Sequence, residues 1–277
     1  MKRNIYFCSF ADSKLKNALE RIGQEANNFK IFKEILLYTE KELPKETQEK
    51  CEKIIEITNN KRGYGYWTWK PIIILEIIIN KLDDGDILFY CDAGSHLNCN
   101  GINLFKQYIK KAIKNDIWVG QLSSKYNELK YTKADTINQF KDKIKNQNIL
   151  KTGQIQSGNI ILIKNNYTIN IINQWKELMK IENLKFYDDS PSKIKNSEKF
   201  IENRHDQSIL SLLIKTNHAY LENAENFWCP YDLWNFCKIP ILNMRDKENK
   251  YKAIEYISPI QRIINFIWWN YHKILKN

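Results

Sequence analysis

Glycine and proline are scarce in this 277-residue chain, at nine and six residues, which excludes collagen-like and low-complexity architectures. The six cysteines, Cys8, Cys51, Cys91, Cys99, Cys229 and Cys237, form no CxxC pair, and no His/Cys cluster has zinc spacing. Long apolar runs are missing too. The longest, from Pro71 to Ile79, is interrupted by Glu76 and falls short of the roughly 18 residues that a membrane span needs. The start, Met1 to Phe10, lacks the h-region and cleavage site of a signal peptide. Neither GxxxxGK[ST] nor GxGxxG occurs, which argues against a P-loop or dinucleotide site. These absences predict reduced thiols in a cytoplasmic protein.

What is present suits a folded enzyme-sized domain. Hydrophobic residues reach 43% and aromatics 13%, with 8 Trp and 15 Tyr, too many for a disordered chain. No internal repeat and no clear linker cut the sequence, so residues 1–257 read as one domain followed by an appendage over 258–277. Lys and Arg outnumber Asp and Glu by 43 to 32, a formal +11. That excess suits an anionic partner, whether nucleic acid, a phosphate-bearing metabolite or an acidic membrane face. Lysine is spread along the whole chain, so a compositional bias would give the same total. No helix-turn-helix, zinc-finger or RNP signature occurs, so no nucleic acid is expected, and a nucleic-acid-binding module is the alternative reading.

Hydrophobic patterning sets the fold class. The stretch Asn4 to Phe10 predicts a first strand, 13–27 and 45–60 predict helices, and a second strand lies within 30–38. Pro71, at a first helical position, predicts a helix through Leu82, although Ile72 to Ile74 and Ile77 to Ile79 also read as strand. The run Ile87 to Cys91, bounded by the acidic turn Asp83 to Asp86, predicts a strand buried on both faces. It stops at Asp92. A helix over 103–115, a strand over 117–120, a polar stretch with one surface helix over 123–151 and a strand over 160–163 follow. Then come a helix over 168–181, a loop over 188–199, a helix from Asn203 through Ile214 and a short strand over 218–221. Helices alternating with buried strands predict an α/β fold with a mostly parallel sheet flanked by helices. In such sheets ligands bind beyond the carboxyl ends of the strands.

In the appendage, Ile260, Ile263, Ile264, Ile267, Trp268, Tyr271, Ile274 and Leu275 form an apolar stripe at helical spacing, with Arg262, His272, Lys273 and Lys276 elsewhere. It reads either as a C-terminal amphipathic helix packed on the domain or as one resting on anionic lipid.

Three stretches carry chemistry. Asp92, followed by small Ala93 and Gly94, either holds a hard cation bridging a diphosphate or starts a turn. The aromatic turn around Gly63 and Gly65 offers Tyr64, Tyr66, Trp67 and Trp69 as flat faces for a base or sugar, with Arg62 and Lys70 beside them for phosphate, or else it is core. Asp206, after Arg204 and His205, either caps the next helix or projects as a general base, with His205 as a ligand or proton carrier.

The pieces carrying a family likeness are Arg62-Gly63-Tyr64-Gly65-Tyr66-Trp67-Thr68-Trp69-Lys70-Pro71, Asp86 to Gly94, Gln156-Ser157-Gly158-Asn159 with Ile160 to Ile163, and Arg204 to Leu210. In this order, over about residues 1 to 220, they resemble glycosyltransferases of the GT-A fold, in particular bacterial capsule and surface-polysaccharide sugar transferases. The resemblance implies a Rossmann-like sheet whose strand ends in an Asp-x-Asp motif binding Mn²⁺ or Mg²⁺ and the donor diphosphate. Here the triplet is Asp92-Ala93-Gly94, so the second acid is replaced. His96 or a distant group completes the metal site, or the enzyme runs without metal.

By the same resemblance Phe7, Ser9 and Phe10 border the nucleotide. Tyr66, Trp69, Ala93 and Gly94 face the donor, and Arg62 and Lys70 serve its diphosphate. Gln156, Ser157, Gly158, Asn159 and Gln207 border donor sugar and acceptor, while Asp206 and His205 stand at the reacting centre. The implied function is transfer of a sugar from a nucleoside diphosphate to a glycan or lipid-linked glycan in surface-polysaccharide synthesis, peripheral on the inner membrane face. Gly94 also admits a catalytically inactive relative used for assembly.

Overall fold

A computed structural model describes residues 3–217, 220–223, 238–247, 249 and 267. Six strands form the main sheet: β1 (Ile5–Phe10), β2 (Glu34–Tyr38), β3 (Ile87–Cys91), β5 (Ile117–Gln121), β6 (Ile155–Ile163) and β7 (Tyr220–Asn223), in the order β2-β1-β3-β6-β5-β7. A two-stranded sheet pairs β4 (His96–Leu97) with β8 (Ile241–Leu242). All pairings in the main sheet are parallel except those of β6, which runs antiparallel to β3 and β5. The reason is topological. After β5 the chain makes only short turns and helical pieces, such as Glu128–Tyr131 and Ala134–Gln139, and no long crossover helix returns it to the opposite edge. It re-enters the sheet from the edge where β5 ended.

Residue alternation distributes the sheet between two cores. Tyr6, Cys8 and Phe10 of β1, Leu88 and Tyr90 of β3, and Ile160 and Leu162 of β6 face one layer. That layer contains α2 (Lys45–Thr58), α3 (Trp69–Asn80), α5 (Asn166–Leu178) and α6 (His205–Thr216). Phe7, Ile87, Phe89, Cys91, Ile161 and Ile163 face the other, built on α1 (Lys16–Asn27) and α4 (Ile102–Asn115). Helices on both faces of a mostly parallel sheet make a three-layer α/β domain, as the patterning predicts.

Several boundaries differ from expectation. The second strand is confined to Glu34–Tyr38, β6 begins already at Ile155, and the 123–151 stretch holds two short α-helices and two 3-10 turns rather than one helix. The ambiguous isoleucines of 72–79 are helical, because α3 is apolar almost all round and lies between the sheet and α5. It starts at Trp69, so Pro71 sits inside the first turn, where its missing N–H has no intrahelical partner to lose. No helix among the described residues is long and apolar enough to cross a membrane. Cys8, Cys51, Cys91 and Cys99 are free thiols. The amphipathic stripe over 258–277 lies, save Ile267, outside the described residues.

The turn into α3 is the strained part of the backbone. Gly63, Tyr64, Gly65, Tyr66 and Trp67 all have positive φ, at 58°, 48°, 81°, 55° and 60°. The amides of Tyr66 and Trp67 donate to the carbonyls of Arg62 and Gly63 at 2.9 and 3.0 Å, closing a left-handed helical turn. For L residues that conformation costs about 1–2 kcal/mol each, so three aromatic residues hold it only because packing over-determines it. The Trp69 indole N–H donates to the Gly63 carbonyl at 2.9 Å, and Trp69 stacks on Phe10 with ring centroids 3.7 Å apart. A Cβ on Gly65 would lie 2.9 Å from Cys51 Cα. Gly65→Ala therefore meets both backbone strain and a clash, and is expected to cost about 3 kcal/mol of unfolding free energy in urea titrations. A variant as stable as the parent would show that the turn yields easily.

Candidate active site

Three segments meet at the carboxyl edge of β3. Tyr90 and Asp92, two residues apart, point to the same side of the sheet, toward the first turns of α3 and α6. There the Lys70 ammonium lies 2.8 Å from Asp206 Oδ2 and 3.1 Å from Asp92 Oδ1, with the Ser157 carbonyl at 3.4 Å. The Tyr90 hydroxyl donates to Asp92 Oδ1 at 2.6 Å. The Lys70 side chain is 1% exposed and that of Asp206 6%, whereas Asp92 is 39% exposed. One carboxylate thus reaches solvent and the other is buried behind it.

Electrostatics keep the ammonium charged. Burial alone would depress the Lys70 ammonium, but Asp206 and Asp92 outweigh it and hold its pKa above the ordinary lysine value. Lysine is unfavourable in the first turn of a helix, and the two carboxylates offset that cost. Asp206 sits in the first turn of α6, where the helix dipole favours an anion. It is not the N-cap, which is Arg204, without a capping side chain. Burial, followed by the Asp92 charge, pushes the Tyr90 hydroxyl far above its usual value, so it stays protonated and donates.

One glycine makes room. A Cβ on Gly158 would come within 2.8 Å of Asp92 Oδ2, so the bare backbone there gives the carboxylate its place. The Asp92 amide donates to the Gly158 carbonyl at 2.8 Å. Gly94 sits beside the 243–246 segment: a Cβ there would lie 3.5 Å from Arg245 Cα.

The remaining expected site residues divide between rim and support. Phe7 and Ser9 are fully buried, so their side chains lie beneath the site rather than on it. The Ser9 hydroxyl donates to the Cys91 carbonyl at 2.7 Å, and Phe7 packs on Phe32 and Phe89. Phe10, Trp69, Tyr66 and Ala93 are also buried. The Ala93 carbonyl accepts from Arg21 at 2.8 Å. Arg62, half-exposed, pairs with Asp189 at 3.3 Å rather than standing free. Gln156 Oε1 accepts from Asn243 at 3.2 Å, and Asn159 Nδ2 donates to Asn243 Oδ1 at 2.7 Å. Gln207 donates to Gln154 Oε1 at 2.8 Å. Gln156, Gly158 and Gln207 are partly exposed, whereas Ser157 is buried and meets Lys70 through its carbonyl.

His205 is not placed at the carboxylate pair. Its ring stacks on Trp67 with centroids 5.4 Å apart, Nδ1 lies 2.7 Å from the Tyr187 carbonyl, and Nε2 faces Asp189 Oδ1 at 3.6 Å. Buried and itself at φ 52°, it props the left-handed turn. Asp189, which patterning left in an unremarkable loop, accepts from the Tyr66 hydroxyl at 2.9 Å and from Asn60 at 3.3 Å. Tyr90 was also missed, although its i, i+2 relation to Asp92 was a usable signal.

The residues present do not fit a divalent cation at Asp92. Its Oδ1 already meets an ammonium and a phenol, position 94 has no side chain, and His96 is turned away. The His96 ring nitrogens lie 2.7 Å from Glu25 and 3.0 Å from Asp246. No group of three or more His, Cys, Asp or Glu residues with metal-holding geometry occurs among the described residues. Of the alternatives that the sequence leaves open, His96 is not brought to Asp92 to complete a metal set, and the cation beside Asp92 is Lys70.

Lys70→Met strands Asp206 in a buried site without a counter-charge, and is expected to lose about 3–5 kcal/mol of stability by chemical denaturation. A second expectation concerns pH. Burial, and then the Arg62 charge, lower the His205 pKa, so the folded protein holds it neutral while an unfolded histidine titrates near about 6.5. Its contribution to stability is complete above that pH and is lost as the pH falls toward the depressed folded value. Thermal melting from about pH 7.5 to about pH 5.5 should show a falling Tm, and His205→Asn, which tolerates positive φ, should flatten that slope. An unchanged slope in the variant would remove His205 as its source.

No protein-family model and no curated protein sequence matches the chain. Among solved structures, mouse xyloside xylosyltransferase 1 in its apo form aligns over 88% of this chain and 97% of its own, at 9% identity and a TM-score of 0.41. A glycosyltransferase involved in the glycosylation of the major capsid of PBCV-1 aligns over 94% of this chain and 98% of its own, at 8% identity and a TM-score of 0.43. At such scores neither likeness carries weight for function, which rests on the residues of the site.

Proposed function

We propose that the chain is a glycosyltransferase that moves a sugar from a nucleoside diphosphate to a hydroxyl of a glycan or lipid-linked glycan. The observation that carries the reading is the pair of carboxylates on one buried ammonium, at the carboxyl end of a fully buried strand. Such an edge is where α/β sheets take their ligands, and paired carboxylates of unequal exposure suit sugar chemistry. Asp92, open to solvent, is suited to accept hydrogen bonds from donor hydroxyls. Asp206, buried and paired with Lys70, is suited to orient or deprotonate an acceptor hydroxyl. Lys70 stays protonated and acts through charge and position, not as a base. Sugar transfer asks mainly for alignment of that hydroxyl on the anomeric carbon, and the convergence of α3, α6 and β3 on one point is suited to it.

The half-buried rings of Tyr64 and Trp67 flank this corner and suit stacking on a base or sugar face. A place in surface-polysaccharide synthesis, with the basic amphipathic segment over 258–277 resting on anionic lipid at the inner membrane face, belongs to the same proposal and is supported by the sequence stripe alone.

The test is turnover and binding across a panel of sugar nucleotides. Asp92→Ala is expected to weaken donor binding and transfer, and Asp206→Asn to lower transfer by about 10²-fold or more with donor binding retained. Undiminished turnover in both variants would sink the assignment.

A further inference from the structure

The reading of Asp92 as a donor site leaves one charge without a partner. A leaving diphosphate has to be neutralised, yet no divalent cation fits beside Asp92, and the nearby basic groups are engaged. Lys70 is shared by two carboxylates. Arg62 pairs with Asp189. Arg21 pairs with Glu25 at 3.1 Å and donates to the Ala93 and Ser95 carbonyls at 2.8 and 2.9 Å.

Resting on the function proposed above, we infer that Arg245 receives the donor's diphosphate in place of a metal ion. Strand β8 pairs with β4 in the register His96 with Leu242 and Leu97 with Ile241, so the chain leaving β8 doubles back along the Asp92 loop. Asn243 is tied to Ser95 Oγ at 3.1 Å and to Asn159 at 2.7 Å. The Asp246 amide donates to the Gly94 carbonyl at 2.8 Å, and its buried carboxylate lies on His96. Between these anchors Arg245 is held at φ 53°, exposed, with its Cα beside position 94. A residue fixed in the left-handed region by bonds on both sides is strain retained at a defined place.

Arg245 is exposed and takes no part in the ion pairs that engage Lys70, Arg62 and Arg21. A guanidinium fork matches phosphate oxygens in bidentate geometry. The glycine at 94 then has a reason: an acid there would pair with Arg245 and take the charge that the diphosphate needs.

The experiment is calorimetric titration of the full chain with UDP and with GDP, in excess EDTA and again with MnCl₂. The expected result is binding of one of them with the same Kd in both buffers. Arg245→Gln should raise that Kd about tenfold at unchanged Tm, Arg245→Lys less, and Gly94→Asp should weaken binding in EDTA. Binding that appears only with MnCl₂, or an unchanged Kd in Arg245→Gln, overturns the inference while leaving the glycosyltransferase reading in place. No binding in either buffer overturns both.

Discussion

A lysine ammonium with almost no solvent contact is the constraint on which this site depends. Burying such a charge unpaired costs several kcal/mol, so Lys70 dictates that two anions converge on it. Asp92 arrives from the end of β3 and Asp206 from the first turn of α6, while Lys70 belongs to the first turn of α3. Three segments far apart in sequence are thereby fixed at one point. The strained turn before α3 follows from the same need. Its left-handed path sends Trp69 onto Phe10 and Lys70 into the interior, and His205, one residue before Asp206, packs against the turn from the other side.

The two faces of the sheet divide the work. On the α3 side lie the carboxylates, the ammonium and the Tyr90 phenol. On the α1 side a second buried network holds the Asp92 loop from below: Arg21 grips the Ala93 and Ser95 carbonyls, Glu25 accepts from the Leu97 amide at 2.8 Å, and His96 lies between Glu25 and Asp246. A third network sets the position of α6. Lys215 pairs with fully buried Glu128 at 2.7 Å, Ser211 Oγ accepts from the Ile155 amide at 2.8 Å, and Gln154 reaches Ser208 at 3.3 Å. Buried polar groups of this kind are costly when half-satisfied, so each network resists sliding of its helix along the sheet. Asp206 is placed as accurately as those contacts allow.

This organisation makes chemical sense of a chain with so few glycines. Gly63 and Gly65 permit the left-handed turn, and Gly158 clears the Asp92 carboxylate. Glycine stands where backbone or carboxylate must come close.

Local patterning by itself determined the α/β class, the buried strand Ile87–Cys91 with its stop at Asp92, and the segments holding Lys70 and Asp206, because strand and helix periodicities and turn residues act over a few positions. It also marked the turn at Gly63 and Gly65, though not that Tyr64, Tyr66 and Trp67 would share its hand. The antiparallel course of β6, the enclosure of Lys70 between two acids, the diversion of His205 and Arg62 to Asp189, and the passage of Arg245 beside Gly94 were decided by the tertiary structure alone. Each depends on contacts between residues separated by 16 positions, as for Asp189 and His205, up to 151, as for Gly94 and Arg245, and on which charges lose their water, and neither quantity is written in any local stretch of sequence.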